Sequence, residues 1–308
     1  MTQLNVRLRL WKRAFSILAV LGGIYAAICL FLFLSQRQWI FQPGRHISML
    51  PSSPRFDLPY EDVWMLAPIS GEYLHGWWIP APSSEEQFVV LPDEPVDILR
   101  APKVMLYLYG VGRNKGDYNY LARVEGFRQL GFSVFVIDYR GYGLSQGDFP
   151  DEMQVYEDSR VAWEYLVQDR DIPPEQILIY GESMGGAIAL DLALEQPQAS
   201  GLILQSSFTS MAEVVKRRPL FRPFPVDWLL TQRFDSMAKV ESLQIPVLFI
   251  HGTADTSVPV DMSQQLYQAA PDPKHLFLIS DADHVRIYKP GGDSYLRAIQ
   301  RFVESNSL

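Results

Sequence analysis

The chain has 308 residues, 48% of them hydrophobic and 20% charged, with 35 acidic against 27 basic side chains and one cysteine, Cys29. A net charge of −8 is the wrong sign for a protein that binds nucleic acid or an anionic surface through bulk charge, and a single cysteine excludes an internal disulfide. No Cys or His pair stands at metal-ligand spacing, so neither a metal nor a cofactor is expected, and the length fits one large α/β domain.

The first predicted element is a membrane-spanning helix. Residues 14–34 carry no charged side chain, and a run of that length matches a ~30 Å hydrocarbon core. A cleaved signal peptide is the rival reading, but its apolar region typically runs ~7 to 15 residues, and no A-x-A cleavage site follows here. Arg7, Arg9, Lys12 and Arg13 precede the run and Arg37 and Arg45 follow it, so the positive-inside rule puts the remaining chain on the non-cytoplasmic side. The chain then divides into a basic flank with an anchor, residues 1–36, and a domain of residues 37–308. That domain carries 23 basic against 35 acidic residues, a net charge of −12.

Short apolar runs near Val63 to Met65 and Leu74 to Ile79 read as antiparallel edge strands, and the Pro-, Asp- and Glu-rich stretch Pro82 to Pro102 as an exposed insertion. From residue 104 onward, strand-like runs at 104–109, 133–138, 176–180, 201–205, 246–251 and 275–279 alternate with helical segments near 117–130, 154–169, 184–196, 261–270 and 293–304. That alternation means βα units and a mostly parallel sheet flanked by helices. Residues 207–237 interrupt it with a short cap rich in Phe, Trp, Leu and Arg, which reads equally as packed core or as an apolar acyl pocket.

One turn carries chemistry. Gly181-Glu182-Ser183-Met184-Gly185 follows the apolar run Ile177 to Tyr180 and opens a helix, the context in which G-x-S-x-G is a nucleophile elbow. Gly181 and Gly185 are needed there because strand and helix backbones approach closely. A serine nucleophile requires a histidine base and a carboxylate to orient it. His284 lies on a polar loop beyond the last strand, and Asp255 on the loop leaving the strand that ends at His251. His251 reads as a packing or capping residue, His275 starts a strand, and His46 and His75 precede the recognisable sheet. Asp261 reads as the cap of a helix beginning near Met262. The order Ser183, Asp255, His284 is the α/β-hydrolase order, and each residue follows its own strand.

These blocks, together with Val104 to Gly110 and Val134-Phe-Val-Ile-Asp-Tyr-Arg-Gly-Tyr-Gly-Leu-Ser145, resemble the α/β-hydrolases over about residues 37–305. More closely, they resemble the membrane-tethered, serine aminopeptidase-like abhydrolase-domain group. The sequence departs from that group at Tyr109-Gly110, where the family usually has His-Gly. The resemblance implies an α/β-hydrolase fold with a short cap, and an oxyanion hole made by the backbone N–H groups of Val111 and Met184. The activity expected is hydrolysis of an ester, thioester or related acyl bond, with a lipid or an acylated protein as substrate. Acyl transfer or peptidase action on the same three residues, or a decayed membrane-tethered scaffold, are the alternatives.

Overall fold

The computed structural model describes residues 2–83 and 104–306. From residue 84 on, the insertion expected before Pro102 lies outside the described residues. The chain opens with the helix α1 (Thr2–Phe41). Large apolar side chains from Leu8 to Leu34 stand exposed along it, while Phe41 in its last turn is fully buried in the domain core. Residues 36 and 37 therefore belong to one continuous helix.

Eight strands form one sheet: β1 (Glu61–Leu66), β2 (Tyr73–Ile79), β3 (Val104–Leu108), β4 (Ser133–Asp138), β5 (Ile177–Glu182), β6 (Gly201–Gln205), β7 (Val247–Gly252) and β8 (Lys274–Ile279), in the order β1-β2-β4-β3-β5-β6-β7-β8. The pairs β1–β2 and β2–β4 are antiparallel, and β4 through β8 pair in parallel, as the alternating sequence pattern predicts. β3, β5, β6 and β7 are buried along their whole length because helices cover both faces, whereas β1 alternates between exposed and buried positions.

The covering helices are α2 (Tyr118–Gln129), α3 (Glu152–Glu164), α4 (Met184–Glu195), α7 (Ser236–Val240), α8 (Val260–Ala269) and α9 (Tyr288–Asn306). Their starts are written in the sequence: the Asp117 side chain accepts from Asn119 N–H, and Asp151 makes a reciprocal capping box with Gln154. The segment between β6 and α7 holds two short helices, α5 (Met211–Lys216) and α6 (Val226–Leu229).

Two expectations need correction. The helix after Asp255 begins at Val260, so Asp261 sits in its first turn and pairs with Arg217 at 2.6 Å instead of capping it. His75 belongs to the sheet: it pairs across from Asp138 within β2 and is almost fully buried. Burial holds it down at about 4, so it is neutral at pH 7, and its Nε2 lies 2.9 Å from Asp62.

Candidate active site

Ser183, Asp255 and His284 come together at the carboxyl edge of the sheet, each just beyond the end of its strand. Ser183 follows β5 with φ +55° and ψ −120°, backbone that an L side chain rarely adopts, and it directly precedes the first residue of α4. Glycine permits that turn. A Cβ on Gly181 would stand 2.3 Å from the Gly185 carbonyl oxygen, and one on Gly185 would stand 2.1 Å from that of Leu108.

The hydrogen bonds form a chain. His284 Nε2 lies 3.1 Å from Ser183 Oγ, and His284 Nδ1 lies 2.6 Å from Asp255 Oδ2. Asp255 is buried, and its other oxygen accepts from the backbone N–H groups of Ser257 at 2.8 Å and Val258 at 2.9 Å. Burial by itself would raise this carboxyl, but hydrogen bonds from His251, His284 and Val258 outweigh it and hold the group well below the usual carboxylate range. Asp255 is therefore an anion in the folded protein at pH 7. Asp283, the other acid near His284, turns away to Arg286 at 2.7 Å.

His251 has more to do than packing. Its Nε2 lies 3.2 Å from Asp255 Oδ2 and 2.8 Å from the Val258 carbonyl oxygen, and its Nδ1 lies 2.6 Å from Ser263 Oγ. It braces the same carboxylate oxygen that faces His284. His251 lies in β7 and Asp255 on the loop after it, so only their closeness in the chain hinted at this contact.

Val111 and Met184 fall beside the serine. Met184 is the first residue of α4, where backbone N–H groups have no intrahelical partner and attract negative charge. Gly110 lies so close that a Cβ on it would meet Ser183 Cβ at 3.1 Å, and Val111 is the next residue of the chain. The loop carrying Val111 is fixed from below and from the side. Asp138 accepts from Tyr109 Oη at 2.7 Å, from Lys115 N–H at 3.0 Å and from Lys115 Nζ, with both ion-pair side chains fully buried. Desolvation pulls the Lys115 ammonium down, and Asp138 opposes it. Tyr109 thus replaces the family's usual histidine with a hydroxyl that reaches Asp138. From the side, the Phe41 carbonyl at the end of α1 accepts from Gly112 N–H at 3.4 Å and from Tyr142 Oη, and Asn114 Nδ2 donates to the Gly44 and His46 carbonyls at 2.9 and 2.7 Å.

Arg123 is a further residue that sequence reasoning missed. Fully buried on α2, it pairs with Glu182 of the elbow at 2.8 Å and donates from its other amino nitrogen to the Val285 carbonyl at 3.0 Å, one residue past His284. Tyr107 Oη donates to the same Glu182 at 2.8 Å. Only a glutamate inside the motif and an unexplained arginine on an apolar helix hinted at this.

A family model for serine aminopeptidases of group S33 matches residues 100–236, from the start of β3 through the cap. The protein Rv2307c of Mycobacterium tuberculosis is 30% identical over 298 residues, covering 96% of this chain and 97% of its own. The chain belongs to the α/β-hydrolase superfamily. The α/β hydrolase domain-containing protein WAV2 of Arabidopsis thaliana is 27% identical over 305 residues, 92% of each chain. Among solved structures, the Pyrococcus furiosus esterase Pf2001 superposes with a TM-score of 0.66 at 21% identity, covering 86% of this chain and 98% of that one, a likeness of fold. By its relatives and its architecture the chain is an α/β-hydrolase.

Proposed function

We propose that the protein is a serine hydrolase acting on an ester, thioester or related acyl bond. The observation that carries this reading is the unbroken hydrogen-bonded run from Ser183 Oγ through His284 to Asp255, at 3.1 and 2.6 Å. Ser183 Oγ attacks the acyl carbonyl carbon while His284 Nε2 takes the hydroxyl proton, and Asp255 fixes the ring and balances the imidazolium. The tetrahedral oxyanion is held by the N–H groups of Val111 and Met184, each such donor contributing ~10²-fold to 10³-fold in rate. When the tetrahedral state collapses, His284 returns the proton to the leaving oxygen, sulfur or nitrogen, and the acyl group stays on Ser183. Water, deprotonated by His284, then attacks the acyl-enzyme, and as the bond from Ser183 Oγ to the acyl carbon breaks, His284 returns that proton to Oγ and the acid leaves.

Under this reading residues 1–36 are a membrane anchor and residues 37–308 the hydrolase domain, lying on the non-cytoplasmic side. The helix is long and apolar enough to span: Arg7–Phe41 has a mean hydropathy of 2.7 in its most apolar window, none of it buried by the rest of the protein. The intact triad geometry favours an enzyme over a decayed scaffold. A panel of p-nitrophenyl esters, thioesters and peptide anilides assayed on the protein and on Ser183→Ala tests the proposal. Turnover of an acyl substrate that Ser183→Ala lacks supports it, and equal turnover by a folded Ser183→Ala protein refutes it.

A further inference from the structure

The cap and α1 touch along the part of the helix that a bilayer would cover. Tyr25 Oη donates to the Pro223 carbonyl at 2.8 Å, and its ring stacks on Phe224 at 5.6 Å. Three turns onward, Gln36 donates to the Leu229 carbonyl at 3.2 Å and accepts from Thr231 N–H at 2.8 Å. At 1.5 Å per residue, Tyr25 stands about 14 Å along the helix from Leu34, the last residue of the uncharged run. A ~30 Å hydrocarbon core centred on residues 14–34 ends near Leu34, so Pro223 and Phe224 are carried below its edge.

The cap is built for that position. Trp228 is 88% exposed and Leu220 73% exposed, a pairing of large apolar groups that water would not favour. Its backbone needs little from water: Pro219, Pro223 and Pro225 have no N–H, while Phe224, Trp228, Leu229 and Leu230 donate to carbonyls within the cap. Arg218 and Arg222 are exposed and form no ion pair among the described residues, the side chains that an embedded cap has to carry toward the headgroups. Between α1 and the cap runs an open groove walled by Leu32, Ile40, Val215, Phe221, Phe224 and Leu229, almost wholly apolar.

We propose that the cap is a second membrane-embedded element, inserted beside α1 in the domain-side leaflet, and that the groove between them takes an acyl chain of a bilayer lipid. This rests on the reading of α1 as a span, and it narrows the substrate to an acyl ester resident in the bilayer. The cap also starts at the nucleophile: Ser207 Oγ, at its root, donates to the Ser183 carbonyl at 3.3 Å.

The test uses the full chain reconstituted in vesicles of phosphatidylcholine and phosphatidylglycerol that contain phosphatidylcholine with a diazirine at the acyl terminus. Photolysis is followed by peptide mapping, and hydrolysis of p-nitrophenyl butyrate is measured on the same vesicles. Adducts in both residues 14–34 and residues 215–230 are the expected result. Adducts in 14–34 alone would overturn the embedded cap while leaving the anchor in place. Adducts in neither would overturn the anchor reading and the inference with it, whereas the catalytic reading stands or falls separately on the butyrate assay.

Discussion

The loops that carry Ser183, Asp255 and His284 differ in construction from the cap that begins beside them. Each of the three loops leaves a parallel strand, and its position is set first by the ladder and by contacts a few residues away, such as Asp255 with Ser257 and Val258, with Arg123 adding a distant hold on Val285. The cap is held instead by contacts with no local logic: Tyr25 with Pro223 are 198 residues apart, and Gln36 with Thr231 are 195 apart. The candidate site therefore rests on strand ends, whereas the cap rests on side chains that hold it against the N-terminal helix.

The largest effect is expected at the strand ends. His284→Ala should lower kcat by about 10⁶-fold, as loss of the base does in another serine hydrolase, while the thermal transition stays close to that of the parent. His251→Ala should retain far more activity, because of Ser183, His284 and Asp255 it touches only Asp255. A steady-state assay of both folded variants checks the pair, and the reverse ranking would move the base to His251.

Next comes Asp255→Asn, with an expected loss of about 10⁴-fold in kcat. Its stability should also change with pH in a defined sense. The Asp255 carboxyl is held below its unfolded value, so its stabilisation is complete above about pH 4 and fades as pH falls toward the folded value. Urea melts should show the gap between parent and Asp255→Asn widest above pH 4 and narrowing below it. A constant gap would mean the carboxylate is not what the surrounding donors stabilise.

A smaller effect is expected beneath the Val111 loop. Asp138→Asn strands the buried Lys115 ammonium and should cost about 3 to 5 kcal/mol, whereas Lys115→Met with Asp138→Asn together, which keeps an acceptor for Tyr109 Oη and Lys115 N–H, should recover part of it. Urea melts of the parent and the two variants decide this. The smallest is expected in the cap, where Gln36→Ala removes hydrogen bonds to Leu229 and Thr231 for about 1 kcal/mol each. Limited proteolysis should then cut first within residues 217–231, and a first cut elsewhere would show that the N-terminal helix does not hold the cap.

The same contrast explains what the sequence made legible. The parallel strands, their order of use and the three residues at their ends could be read because a buried strand and a glycine-bounded elbow have local signatures. The contact of His251 with Asp255 was hinted at only by their closeness in the chain. Arg123, Lys115 and the grip of Phe41 on the Val111 loop were not, because each is buried by partners distant in sequence and no periodicity marks an ion pair inside a core. The misreading of Asp261 has a similar cause: an acid near a helix start looks like a cap until Arg217, 44 residues earlier, is seen to claim it.

The central claim is that Ser183 is the nucleophile, and labelling with a fluorophosphonate tests it most directly. The reagent phosphonylates a serine only when a neighbouring base activates the hydroxyl, so the modified peptide found by mass spectrometry identifies the residue. One adduct on Ser183, absent from His284→Ala, is the predicted result. An adduct on another residue, or none in a folded protein that still hydrolyses acyl esters, would contradict it.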